Sequence, residues 1–568
     1  MDSDEIKRDA LSDSSISLVK LGEMVAENTS LFQPVVEIVR VGLSILEKPY
    51  ETYNPSDPNR HRKTLEIAAN LFTGLNSALA PRSFRSSPGD IASLQTVAGP
   101  IYEWALVFYQ THFLDIAEVT KDKALLVDVC LQLAKLFQSF SLVQELANIM
   151  ATTPGFITRV TMLWIHSIWN VLDMRLYYQP TVISLSSHRQ VIQRCLDCSI
   201  PGDTIAKCCS IMLTQKSTSS PSGTYPMDGP IGFVVAISGF SEKFRHALVA
   251  KHAPSWLCRQ LSIHISKEKD DIDEDPLRTV EVILTGVWRF GLEGPRCIVD
   301  MLDSNIVALL SDCASLPGSR CTKESVRLLE LIAKFLFYRP IIPRVAKCLL
   351  AMDIESLTPG PIRDALLSLK EVTLLRERAL ENYVQSREYC RCSLFKCKIN
   401  NDFDDEDPAN KDRPRPVLRH CAKCHSVSYC SAECQKIDWK NSHKLMCKMT
   451  SRRVLDGLPP DLTERDRHLI LYIVEQDVRD NEEMIKKLRA ERQGPGVSFV
   501  EINYEAVPRT IVIKTSEEFR GRELPEDHME HVEDAKCGKI VIGFRVPHTT
   551  DEVFDAVVTY PFDWCTIF

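Results

Sequence analysis

Positive charge is not in excess in this chain. Lys and Arg number 68 against 76 Asp and Glu, a formal net charge of −8 at pH 7. A chain with that balance is not built to coat nucleic acid or an anionic lipid surface, and neither is an expected partner. Glycine is sparse, 22 of 568 residues, which excludes collagen-like and low-complexity chains. No apolar stretch reaches the roughly 18 residues of a membrane-spanning helix, and the longest, such as IGFVVAISGF, are of core size. The opening, MDSDEIKRDALSD, is acidic and polar and lacks the shape of a secretory signal. No G-x-S-x-G elbow, P-loop or H-E-x-x-H helix is found, so no enzyme class announces itself and none is expected. What remains is a globular chain, expected to be intracellular, with nucleus and cytoplasm both compatible. Apolar residues make up 44% of it, enough for a large core.

Residues 1–385 read as almost entirely helical. In TKESVRLLELIAKFLFYRP, Val326, Leu329, Ile332, Ala333 and Leu336 follow helical spacing, while Leu328, Leu331 and Phe335 widen the stripe to that of a mostly buried helix. Thr322 is placed to cap its start and Pro340 to stop it. ALLVDVCLQLAKLF, PLRTVEVILTGVWRFGL and PIRDALLSLKEVTLLRERALENYV repeat the pattern. Many helices in series with short turns predict an α-solenoid of armadillo or HEAT type, or an irregular helical array, since no clean period is present. Residues 214–230, rich in Ser, Thr, Pro and Gly, and the charge run at 267–276 are expected to be loops.

After residue 455 the texture changes. Thr463-Glu464-Arg465-Asp466 predicts a capped helix through about Arg489, stopped by Gly494-Pro495-Gly496. VSFVEINY, RTIVIK and GKIVIGFRV read as strands, and TTDEVFDAVVTYPF is ambiguous. Residues 455–568 are therefore expected to form a small α+β region.

The chemistry concentrates between these parts. Cys390-x-Cys392-x4-Cys397 is followed, after a long gap, by Cys421-x2-Cys424-x5-Cys430-x3-Cys434-x8-His443-x3-Cys447. In a reducing compartment such clustering points to metal rather than disulfides. Cys421-x2-Cys424 has the interval of a knuckle that aims two sulfurs at one ion, and Cys430/Cys434 and His443/Cys447 are i,i+4 pairs that share a helix face. A polar segment of this length cannot build an adequate apolar core, and two tetrahedral zinc ions would replace one. Eight protein ligands leave no open coordination position, which predicts structural rather than catalytic zinc. Cys195-x2-Cys198 and Cys208-Cys209 resemble half a site, but their helical surroundings favour buried thiols.

CAKCHSVSYCSAECQKIDWKNSHKLMC resembles a MYND-type zinc finger in its C-x2-C, its Tyr-Cys before x3-Cys-Gln, its Asp438-Trp439 pair and its closing His-x3-Cys. The resemblance covers residues 390–447. The layout, a long helical region followed by a C-terminal finger, is similar to that of fungal MYND-type proteins. The family's interleaved pattern implies Cys392, Cys397, Cys430 and Cys434 as ligands of one zinc, and Cys421, Cys424, His443 and Cys447 as ligands of the other. Cys392-x4-Cys397 is wider than the family's usual spacing, so Cys390 stands as an alternative ligand. His420 and His425 flank the ligands and are expected to face solvent.

The resemblance also implies a protein-interaction module whose partner is a peptide, in some members proline-rich, held by the counterparts of Tyr429, Gln435 and Trp439. A flat indole suits proline rings and a Gln amide suits an extended backbone, although packing on the zinc core is a competing role for Trp439. Leu458-Pro459-Pro460-Asp461-Leu462, just past the finger, is a self-ligand candidate as well as a linker turn. The finger is basic, with ten Lys or Arg from Arg413 to Arg453 against Glu433 and Asp438. The expected function is zinc-dependent protein recruitment. A MYND-containing SET-type lysine methyltransferase is the rival, but its motifs are not seen; a transcriptional regulator acting by recruitment is a third reading.

Overall fold

A computed structural model describes residues 32–45, 58–79, 88–110, 123–169, 175–214, 230–268, 274–316, 319–385, 392–394, 397, 417–424, 427–445, 447–448, 451, 463–491, 498–504, 509–515, 518, 540–547 and 553–560. The fold is mainly α, with small sheets toward the C-terminus. No helix among the described residues is long and apolar enough to cross a membrane. The chain divides into two compact units, Met1–Ala247 and Leu248–Phe568.

The first unit is a helical array from Phe32–Ile45 to Pro230–Phe240. Its core is aromatic where helices cross. Tyr102 lies 4.5 Å from Phe156 and 6.1 Å from Phe137 between ring centroids, and all three are fully buried. The glycine at position 42 lets two helices close, since a Cβ there would meet Leu71 at 2.9 Å. Pro230–Phe240 carries the long apolar run and is buried on every side from Pro230 to Ser238, as its lack of a polar stripe requires. The expected loop at 214–230 lies almost wholly outside the described residues.

The second unit begins as a stacked series. Ala253–Glu268 packs on Glu274–Gly291, which packs on Ser319–Lys334, then on Pro361–Gln385 and Glu464–Asp480. The shorter Pro295–Asp303, Ile306–Asp312 and Ile342–Leu350 fill in beside them. The helices run to 16, 18, 16, 25 and 17 residues, so the series has no constant period. Three boundaries differ from expectation. The charge run at 267–276 contributes its ends to flanking helices, which stop at Glu268 and resume at Glu274. Ser319–Lys334 starts before Thr322 and ends before Pro340, because residues from Phe335 on bond in three-residue turns. The helix expected from 463 to 489 is two, Glu464–Asp480 and Glu482–Glu491. Asn481 breaks it by leaving the helical conformation, with its side-chain amide on the Asp477 carbonyl at 2.7 Å. The predicted cap is present: the Thr463 hydroxyl accepts from the Asp466 amide at 3.1 Å.

Two strands form a small hairpin, β1 (Arg419–His420) and β2 (Ser428–Tyr429). The other four, β3 (Ser498–Asn503), β4 (Thr510–Thr515), β5 (Ile540–Pro547) and β6 (Val553–Tyr560), form one sheet in the order β4-β3-β5-β6. The ambiguous last segment is thus a strand. β3 and β5 pair in parallel, Phe499 opposite Val541, and the outer pairs are antiparallel. The two central strands are largely buried: β5 buries Val541, Ile542, Phe544 and Val546, and β3 buries Phe499, Val500 and Ile502 together with Glu501, which pairs with Lys514 of β4.

A buried ionic hub ties this sheet to the helices. Asp477 accepts from both Arg376 terminal nitrogens at 3.2 and 3.3 Å and from the Tyr504 hydroxyl at 2.9 Å, and it pairs with Arg509 at 3.3 Å. Arg376 also lies over the Phe337 ring at 4.5 Å, and Phe337 meets Tyr504 edge to face. The Tyr338 hydroxyl donates to the Pro547 carbonyl at 2.8 Å. Residues before 385 and after 455 therefore share one core, although the sequence texture changes between them.

Candidate metal centre

The β1–β2 hairpin places Cys421 and Cys424 at its turn and Cys430 at its open end. The Cys421 amide bonds the Val427 carbonyl at 3.0 Å, which closes the knuckle. Ser431 then caps the helix Ala432–Asp438 by accepting from the Cys434 amide at 3.1 Å. Helical backbone continues as a π turn over Trp439–His443. Nine residues of α-helix would set Cys434 and His443 about half a turn apart, so the same element can supply two different ions. His443 and Cys447, four apart, return to a shared face.

The eight predicted residues fall into two groups of four, Cys392, Cys397, Cys430 and Cys434, and Cys421, Cys424, His443 and Cys447. Within each group the candidate ligand atoms all lie within 4.8 Å of one another. In the first group, Cys397 Sγ is 3.5 Å from Cys430 Sγ and 3.7 Å from Cys434 Sγ, and Cys430 and Cys434 are 3.5 Å apart. In the second, Cys421 and Cys447 are 3.8 Å apart, and Cys424 Sγ is 3.6 Å from His443 Nε2. Tetrahedral zinc with Zn–S bonds of about 2.3 Å has ligand–ligand edges of about 3.8 Å. The donor set and its spacing therefore fit zinc at both positions, with thiolates and an imidazole as its preferred ligands. The sulfurs, with Tyr429, take the place of a small apolar core.

Without a cation these thiols are unevenly poised. Burial pushes Cys392 up to about 11 against the help of hydrogen bonds from the Cys430 and Leu394 amides, and burial together with the neighbouring Cys421 and Cys424 thiols pushes Cys447 up to about 11 as well. Burial also opposes ionisation of Cys421, but the Cys424 amide and the His443 side chain overcome it and bring the group down to about 6. At pH 7 Cys421 is then a thiolate while Cys392 and Cys447 hold protons that a metal must displace. Zinc binding is expected to release protons, and affinity is expected to fall as pH drops from 8 toward 6. Calorimetry in two buffers of different ionisation enthalpy reads the proton count; a heat independent of buffer would contradict it.

The remaining site residues separate. Tyr429 is buried in the cluster, with its hydroxyl donating to Asp438 Oδ2 at 2.6 Å. Gln435 and Trp439 are half-buried on one helical run, and the Trp439 ring stands edge-on to His443 at 5.6 Å. Trp439 thus packs on the core and keeps part of its surface in solvent. His420 is exposed and pairs with the Ser428 hydroxyl at 3.1 Å, outside both groups. Cys390, His425 and Leu458 to Leu462 lie outside the described residues. Cys195, Cys208 and Cys209 are buried, and burial raises Cys195 to about 11 and Cys208 to about 12, which leaves inert thiols; Cys198 is exposed. The hairpin and the π turn are what sequence reading missed. The two-residue strands are too short to show alternation, and a π turn has no residue signature.

Comparison with known proteins agrees with this geometry. The family described as MYND finger matches residues 409–447. A stretch of 34 residues is 60% identical to ubiquitin carboxyl-terminal hydrolase 19 of Arabidopsis thaliana, covering 6% of this chain and 5% of that protein. A stretch of 132 residues is 32% identical to programmed cell death protein 2 of Bos taurus, covering 17% of this chain and 37% of that protein. The chain thus spans well under two thirds of the length of either relative. The family match begins after Cys397, and the fold supplies Cys392 and Cys397 to the first group. The chain carries a MYND finger, a type of protein-interaction module, whose two Cys and His groups fit zinc.

Proposed function

We propose that the MYND finger of this chain recruits a partner protein through an extended, proline-rich peptide, and that the helical array serves as scaffold or second binding surface. Two structural zinc ions hold the finger, one on Cys392, Cys397, Cys430 and Cys434, the other on Cys421, Cys424, His443 and Cys447. All four positions of each tetrahedron are then protein ligands, which supports a structural role and no catalytic one. The matched 34 residues carry no hydrolase activity across from the plant relative. The reading places the chain inside the cell, where its described cysteines stay free thiols or metal ligands.

The observation that carries the proposal is the partial exposure of Gln435 and Trp439, four residues apart on a helical run whose inner side is committed to the ions. An indole face accepts proline rings, and a Gln amide bonds the backbone of an extended peptide. Tyr429 contributes from beneath by fixing Asp438, next to Trp439. In the full-length, zinc-loaded protein, Trp439→Ala is expected to keep both zinc ions and to weaken a proline-rich peptide about tenfold or more, as loss of an aromatic anchor does. Mass spectrometry under native conditions reads the zinc, and fluorescence anisotropy the peptide. Zinc loss would assign Trp439 to the core, and unchanged peptide affinity would remove it from the groove.

A further inference from the structure

The finger's helical run has an outward side that zinc binding does not use. Lys436, Lys440, Lys444 and Lys448 recur every four residues along it, and each is exposed. Among the described residues none of these four side chains has an ion pair or hydrogen bond. A step of four residues overshoots an α turn by about 40°, so such a series spirals around a regular helix. The wider π turn over Trp439–His443 takes part of that overshoot back in the middle. The lysines therefore stay near one line for about 18 Å. Two aliphatic side chains border them, Ile437 at 48% and Leu445 at 67% exposure.

We infer that this face docks an acidic segment of a partner protein, one that sets Asp and Glu among aliphatic residues. Charge complementarity selects the acids, and Ile437 and Leu445 select the aliphatics. A phosphate backbone would match the lysines and leave both aliphatic side chains in water. A bilayer needs one continuous apolar helix face, and here the inner face is committed to the metal ligands. The inference rests on the finger as a protein-interaction module and names the partner's chemistry. Lys436 and Lys440 follow Gln435 and Trp439 by one residue each, so acids flanking a peptide in that groove would meet the ladder. Such exposed pairs act mainly on encounter and register, and they weaken with salt.

The test uses the zinc-loaded full chain and anisotropy titrations with a labelled peptide alternating Leu with Asp and Glu, its counterpart with Lys in place of the acids, a neutral proline-rich peptide, and a short DNA duplex. The acidic peptide is expected to bind, its Lys counterpart to fail, and the affinity to fall as NaCl rises. Lys436→Glu, Lys440→Glu, Lys444→Glu and Lys448→Glu together are expected to weaken the acidic peptide about tenfold or more, with both zinc ions retained. The matching set of Lys→Gln changes gives a smaller loss and guards against misfolding by charge reversal. Equal affinity in the reversed protein, or tighter binding of the duplex, overturns the inference. Zinc loss in both sets also overturns it, by assigning the lysines to balancing thiolate charge. Acidic binding without proline-rich binding defeats the groove at Trp439 and leaves the ladder standing; the reverse defeats the ladder alone.

Discussion

Cys421→Ser or Cys447→Ser is expected to unfold the finger while the helical array keeps its cooperative transition. Each change removes one of the four donors in the second group, which span 4.8 Å at most. The serine hydroxyl does not ionise to a comparable ligand, and zinc affinity of roughly 10–16 kcal/mol per structural site is folding free energy for so small a unit. The finger has little to fall back on, since its buried cluster is cysteine sulfur and Tyr429 with Leu394, Val427 and Trp439 at the margin. The array has its own core, for example Val280, Ile283, Leu284 and Val287 of one helix and Leu328, Leu329 and Ile332 of the next, all buried. Far-UV circular dichroism during heating, with zinc measured in the same sample, reads both parts. Collapse of the whole chain would show that finger and array fold as one.

The second large effect is expected at Asp477. Asp477→Ala should cost about 3–5 kcal/mol, the range for removing one partner of a buried ion pair. Arg376, 6% exposed, would be left with its charge buried, and Tyr504 would lose its acceptor. The loss has a location. Asp477 lies on Glu464–Asp480, Arg376 on Pro361–Gln385, Tyr504 at the end of β3 and Arg509 just before β4. The sheet should therefore loosen from the helices before they melt, and hydrogen exchange should rise first in β3 and β4. Replacing Arg376 with Met together with Asp477→Leu should cost less than Asp477→Ala alone, since the double change removes the desolvated charges in pairs. A double variant as unstable as the single one would show that packing rather than charge sets the value.

How much was legible in the sequence follows from the range of the forces involved. Helix and strand identity is local, so the stripe from Val326 to Ile332 and the strands at 498–503 and 540–547 could be read from spacing. The Thr463 cap was legible because its signal sits within four residues. The break at Asn481 was not, because it depends on one side chain bonding its own preceding turn. The parallel pairing of β3 with β5 and the Arg376–Asp477 hub were invisible for another reason. They join residues about a hundred or fewer positions apart through packing alone, with no spacing rule to announce them. The two Cys and His groups were the most legible part, since tetrahedral coordination constrains residue type and interval together. What coordination leaves free, such as the exposure of Trp439 and the alignment of the lysines, needed the fold.

The central claim is zinc-dependent capture of a peptide by the finger, and a proline-rich peptide array probed with the full-length protein, with and without a chelator, tests it most directly. Binding that appears only with zinc and that Trp439→Ala abolishes is the predicted result. Clean zinc loading with no peptide retained would contradict it, making the finger a structural clip and moving the search for function to the helical array.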